Sequence, residues 1–206
     1  MRIDRRIRIA IVDSGIAAGH VHVGPVAGGV SFAGARDRVG DSADHLGHGT
    51  AVAGAIRQWA PGADLYAVKV FDQRLSATIE TLLQALEWCR EQAMDIVNLS
   101  LGTANPAHGE RFLAVLGPRP LVISPASMLP GSLPDVIGVE ADADCRRDAF
   151  RHTHGIFYAS PYPRPIPGVP VERNLSGVSF AVANVTGLAA RSLLTTREAL
   201  IRSVSH

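Results

Sequence analysis

Five short apolar runs recur along this chain and restrict what it can fold into: Ile7 to Val12, Leu65 to Val70, Asp95 to Leu99, Leu121 to Ile123 and Val136 to Val139. Each has the length and β-branched character of a buried strand. Between the second and third, Ile79, Leu82, Leu83, Leu86 and Cys89 recur at helical spacing across Thr78 to Gln92. Strands joined through helices lie parallel, and parallel sheets are covered on both faces. The expected fold is therefore α/β, with three layers and a mostly parallel central sheet.

Two more helices are placed by their ends. One begins around Gly49-Thr50 and stops before Pro61-Gly62, since proline cannot continue the helical ladder. The other runs from about Ser179 to Leu194 and is apolar nearly all round, through Val182, Val185, Leu188, Ala189 and Leu193, which predicts burial. Ser160 to Pro170 holds five of the 13 prolines and reads as irregular. No internal repeat is visible, and 1–206 reads as a single domain.

Composition excludes several function classes. With 47% hydrophobic residues and a formal net charge of +1, the chain can bury enough surface to fold, and it lacks a basic block for a phosphate backbone, so nucleic acid is not an expected partner. Of its 20 basic residues 19 are Arg and one is Lys69. No apolar stretch is long enough to span a bilayer, and the stretch from Met1 to Arg6 is too charged to open a secretory signal. Cys89 and Cys145 do not make a disulfide framework in a chain this long. A cytoplasmic protein without membrane contact is the expectation.

Three polar motifs interrupt this apolar pattern. Asp13 directly follows the first strand, at the sheet edge where open α/β folds place ligand sites, although a turn or capping aspartate looks the same. His48 lies in Gly47-His48-Gly49-Thr50-Ala51-Val52-Ala53-Gly54, where flanking glycines favour close backbone approach over core packing. Ser179 lies in Ser176-Gly177-Val178-Ser179-Phe180-Ala181 at a helix head, where orphan amides favour a developing anion, and where an N-cap serine would also fit. Together they supply a carboxylate, a base and a nucleophile. A serine hydroxyl needs a histidine to take its proton, and the histidine needs a carboxylate to hold its tautomer. The order Asp, His, Ser differs from the Ser, Asp, His order of α/β-hydrolases.

On these motifs the sequence resembles the subtilisin-like serine peptidases. Ile9 to Gly15, Gly47 to Gly54 and Gly177 to Ala181 are similar to the family's aspartate, histidine and serine motifs, and Leu65 to Val70 and Asn98-Leu99-Ser100-Leu101-Gly102 to internal segments in the same order. The resemblance implies Asp13, His48 and Ser179 as a catalytic triad, an acyl-enzyme intermediate, and a peptide or protein substrate held along Ser100, Leu101 and Gly102 by strand addition. It implies endopeptidase activity with no cofactor.

Departures from the pattern qualify this picture. The Asn whose side chain completes the family's oxyanion hole is missing from Leu121 to Met128; Ser127 or Met128 stands in its place. A hydroxyl can donate one hydrogen bond and a thioether none, and losing such a donor costs about 10² to 10³ in rate. Ser127 is the candidate replacement, with another backbone amide or the substrate itself as the alternatives. Val178 and Ala183 replace the family's usual Thr and Pro. The interval from His48 to Leu65 is too short for the calcium loop of many relatives and lacks an oxygen-rich cluster, so no calcium is expected there. His20-Val21-His22 and His152-Thr153-His154 lack a third ligand at defined spacing, and no metal site is expected. His45 reads as loop surface, Ser14 and Asn98 as structural groups, and Arg146, Arg147 and Arg151 as a solvated face.

The absence of a signal and a propeptide before the first strand points to an intracellular enzyme with restricted substrates, such as a precursor-peptide maturation protease with a partner recognition factor. Two alternatives share the motifs: a transamidating, macrocyclising peptidase, and a pseudoenzyme that binds peptides without cutting them.

Overall fold

The computed structural model describes residues 6–34 and 41–203. Met1 to Arg5, part of the charged stretch weighed above, lies outside them. Eight strands form one sheet: β1 (Arg8–Asp13), β2 (Gly28–Ser31), β3 (Asp64–Lys69), β4 (Ile96–Leu99), β5 (Leu121–Pro125), β6 (Ile137–Ala141), β7 (Phe150–Thr153) and β8 (Ile156–Ala159). Their order is β2-β3-β1-β4-β5-β6-β8-β7. All neighbours run parallel except β7, which pairs antiparallel with β8. Among the described residues the α-helices are α1 (His48–Trp59), α2 (Ile79–Glu91), α3 (Gly109–Val115), α4 (Val178–Arg191) and α5 (Arg197–Arg202).

Alternation along β1 separates two apolar layers. Ile9 and Ile11 pack with α1 and α4, while Ala10 and Val12 pack with α2 and α3. The three-layer α/β architecture expected from the sequence is what the chain adopts. Asp13 continues the face of Ile9 and Ile11, so its side chain is directed toward the α1 and α4 layer. Asn98 and Ser100 continue the face of Ile96 in β4 by the same alternation.

Helix α2 starts and stops where its pattern predicts, with Thr78 capping the Thr81 amide and Gln92 at the other end. Helix α4 is buried from Phe180 through Ala190, as its apolar composition requires. It ends at Arg191, however, and Leu193, expected inside it, has φ 57° and is 63% exposed. Trp59 Nε1 donates to Asn184 Oδ1 at 2.9 Å, tying α1 to α4. The stretch from Ser160 to Pro170 is irregular, as its prolines predict. Five elements lack a clear sequence pattern: β2 begins with two glycines, β7 and β8 form a hairpin that turns through His154 and Gly155 at positive φ, and α3 and α5 are short.

Candidate active site

The site sits where the sheet changes direction. After β1 the chain builds β2 and β3 on one side of it, and from β4, on its other side, it moves away to β5, leaving a crevice at the carboxyl ends of β1 and β4. Asp13 ends β1 with no solvent exposure. His48 Nδ1 lies 2.8 and 2.9 Å from the two Asp13 oxygens. The carboxylate also accepts from the Ser14 amide at 2.7 Å, and the Ser14 hydroxyl lies 3.2 Å from it. Asp13 is therefore neither a cap nor a turn residue. An Nδ1–H held by a buried carboxylate leaves Nε2 as the basic nitrogen.

Two glycines let α1 come this close. Gly47 has φ 83°, which turns the chain into the helix. A Cβ on Gly49 would lie 2.2 Å from the Gly15 carbonyl and 3.2 Å from Asp13 Cβ, so only glycine fits between helix and strand. The helix begins at His48, slightly before the Gly49-Thr50 start read from sequence. Gly47 offers no side-chain cap, and the orphan amides of the first turn are taken up from elsewhere. Gly49 N–H donates to Ser14 Oγ at 3.0 Å and Thr50 N–H to Asp44 Oδ2 at 2.8 Å.

Asp44 is the residue that sequence reasoning missed. Its carboxylate accepts from the Ser14 hydroxyl at 2.8 Å, the Leu46 and Gly47 amides at 2.9 Å, and the Thr50 amide and hydroxyl at 2.8 and 2.6 Å. Burial opposes ionisation, but these donors outweigh it and hold the carboxyl below its ordinary range. The signal was its place ahead of a helix with no capping side chain of its own. Lys69, 3% exposed, fixes the same loop by donating to the Ala43 carbonyl at 3.0 Å. Burial pulls the His48 pKa down, while the hydrogen bond and charge of Asp13, with the charge of Asp44, raise it; the net result lies above its ordinary 6.5.

Ser179 lies in the first turn of α4, where Gly177 is the N-cap and no side chain caps the helix, so it is not the capping serine. His48 packs against Phe180, the next residue, with ring centroids 5.9 Å apart. The Ser179 hydroxyl donates to the Ser100 carbonyl at 3.3 Å, and the Ser100 hydroxyl donates to the Ser179 carbonyl at 3.2 Å. Behind them Asn98 donates to Ser100 Oγ at 2.8 Å and accepts from Thr186 at 3.1 Å, which anchors the head of α4 to β4. Ser14 and Asn98 are thus supporting groups, as expected.

Thr103 and Leu129 exchange backbone hydrogen bonds of 2.9 Å, which brings the segment after β4 beside the turn after β5. A Cβ on Gly102 would lie 2.7 Å from Met128 Cβ, so Gly102 packs on this turn. Ser127 is exposed at its tip. Of the arginines read as a solvated face, Arg146 and Arg151 are exposed and pair at the surface with Asp148 at 2.7 Å and with Asp142, whereas Arg147 donates to the Tyr162 carbonyl at 3.1 Å and to Gln58 at 2.8 Å. Arg147 is only half-buried in this role, stacked over Trp59. His45 pairs with Asp41 at the surface. His20 and His22 meet edge to face at 5.4 Å, and His154 sits in the hairpin turn away from the strand position of His152. Among the described residues no three His, Cys, Asp or Glu side chains group as metal ligands, and no helix is long and apolar enough to cross a membrane. Cys89 and Cys145 are buried and unpaired, and burial pushes both thiols up.

Comparison with known proteins follows the same lines. The chain is 34% identical over 105 residues to Subtilisin DY of Bacillus licheniformis, covering 47% of this chain and 37% of that one. It is 41% identical over 110 residues to the Minor extracellular protease Epr of Bacillus subtilis, covering 49% and 16%. Against Subtilisin Savinase of Lederbergia lenta the match is 30% identical over 202 residues, covering 89% of this chain and 71% of that one. The chain thus spans well under two thirds of the first two relatives and more of the third. A solved structure, described as a cold adapted subtilisin-like serine proteinase, superposes with a TM-score of 0.68 at 20% identity, covering 94% of this chain and 79% of that chain, and shares its fold. Residues 4–131 match the family model of the subtilases; with the sheet, its crevice and the Asp13–His48 pair in place, the chain belongs to the subtilase family.

Proposed function

We propose that this protein is a serine peptidase with Asp13, His48 and Ser179 as its catalytic triad. The observation that supports this most is the buried Asp13 carboxylate bonded to His48 Nδ1 at 2.8 Å, with the imidazole against the turn that carries Ser179. His48 Nε2 takes the Ser179 proton as Oγ attacks the scissile carbonyl. The oxyanion meets the Ser179 amide, which by its place in the first turn of α4 has no intrahelical partner. The imidazolium then gives its proton to the leaving amine, and the acyl-enzyme forms. Water, deprotonated by His48, adds to the ester, and collapse returns the proton to Ser179 and frees the acid. The Ser179 hydroxyl rests on the Ser100 carbonyl, and in resting enzymes the nucleophile–base hydrogen bond is often made only when substrate binds.

The substrate strand lies along Ser100, Leu101 and Gly102, and Ser127 supplies the second oxyanion donor. A weaker hole suits a specialised endopeptidase of restricted substrates, such as a precursor-peptide maturation enzyme working with a recognition partner. The chain acts as one catalytic unit on peptide or protein substrates in the cytoplasm, without a cofactor. Incubation with a serine-reactive fluorophosphonate followed by peptide mass mapping tests the reading. An adduct on Ser179, absent from Ser179→Ala and much slower in His48→Ala, is the expected result. Folded protein that takes no adduct would instead be a peptide-binding pseudoenzyme.

A further inference from the structure

A cavity of about 670 Å³ opens between the head of α1, at Gly47 and Thr50, and the approach to α4, at Asn174 and Leu175. Gly47, the residue before His48, and Leu175, on the segment leading to Ser179, stand on its lining, while neither His48 nor Ser179 does. The segment from Leu101 to Thr103 lines a different cavity, of about 250 Å³, with Phe71 and Leu82. A peptide crossing Ser179 has two arms. If the acyl arm lies along Ser100 to Gly102, the arm bearing the amine that His48 protonates runs past the head of α1 into the larger cavity.

The chemistry of that cavity is unbalanced toward positive charge. Arg164 and Arg173 line it, and among the described residues neither forms a salt bridge. Arg173 is exposed, and Arg164 makes a single side-chain hydrogen bond, to the His22 carbonyl at 3.1 Å. One carboxylate, Asp44, reaches the lining, and its oxygens are occupied by the five donors described above. Apolar surface lies beside the cations: Val21 is 84%, Ile166 43% and Leu175 52% exposed. The adjoining cavity adds no free charge from Arg57, whose guanidinium is given to the carbonyls of Val23, Pro25, Pro61 and Ala63.

We propose that this cleft selects substrates carrying a carboxylate side chain next to an apolar residue shortly after the scissile bond, with Arg164 and Arg173 as the specificity-determining cations. The proposal rests on the peptidase reading, and its test separates the two. Peptides identical on the acyl arm and bearing Glu, Gln or Lys after the cut are compared by kcat/KM. Glu is favoured over Lys by about tenfold at low salt, since an exposed pair attracts the one and repels the other by similar amounts. Added salt narrows the ratio. The Arg164→Glu/Arg173→Glu variant inverts it; Arg173→Glu alone, at an exposed side chain, keeps the test valid if the double variant fails to fold. The Glu and Lys peptides are also titrated against Ser179→Ala protein by calorimetry, which reads the preference without turnover. Equal rates and equal affinities for Glu and Lys, with Ser179 still labelled by the fluorophosphonate, would overturn this proposal and leave the peptidase standing. Tighter binding of the Glu peptide with no labelling would support the cleft and remove the peptidase.

Discussion

His48 couples two opposite responses to pH. Asp13 and Asp44 raise its pKa above 6.5 against the effect of burial. A general base must be neutral, so kcat/KM on a peptide substrate is expected to rise with pH through an inflection above 6.5. Stability goes the other way. The folded state binds this proton more tightly than the unfolded chain, so the contribution is fully present below about pH 6.5 and is lost as pH climbs through the folded value. Urea midpoints across that window should decline in the wild type and lose this decline in His48→Gln. Ser127 poses a separate question at the same scale. With its hydroxyl in the oxyanion hole, Ser127→Ala lowers kcat by about 10² with little change in KM; unchanged turnover would remove it from the hole. The residue reading of the sequence was strongest here, because Asp13 and His48 sit in contiguous motifs. Asp44 escaped it because its partners are mostly backbone amides, which no residue pattern displays.

Helix α1 shows how one element is positioned by its surroundings. Its capping acid lies outside the helix, at Asp44, and is linked through Ser14 to the carboxylate that holds His48. Asp44→Ala removes a cap and takes away the acceptor of the Thr50 hydroxyl and the nearer acceptor of the Ser14 hydroxyl, which costs about 1–2 kcal/mol in urea denaturation. Asp44→Asn, which removes the charge, moves the lower inflection of the pH profile toward acid, a shift that a purely structural role would not produce. Gly49→Ala drives a methyl into the Gly15 carbonyl and costs about 1–3 kcal/mol, with slower labelling of Ser179 because helix and strand must separate. The long elements were legible because α2 and α4 are patterned over several turns. Strand β2 and the β7–β8 hairpin were not: Gly28 and Gly29 give β2 no apolar alternation, and β7 reads ordinary because it pairs on one side only.

Across the whole molecule, the sheet and its two helical layers follow from the distribution of apolar residues, whereas the cleft between the head of α1 and the approach to α4 does not. Its cations come from the proline-rich stretch around Arg164 and from Arg173, where no periodicity reports which way a side chain faces. Calcium belongs to the same scale. Between α1 and β3 only residues 60–63 intervene, and melting temperatures in excess calcium and in chelator are expected to agree within about 2 °C; a large calcium-dependent rise would point to a site elsewhere. One last feature concerns the outside of the protein. The sole lysine is 3% exposed and donates to the Ala43 carbonyl within the loop that orients Asp44. The folded surface therefore offers acylating dyes, aldehyde crosslinkers and activated resins no free side-chain amine, and a reagent that did reach Lys69 would have to open that loop first.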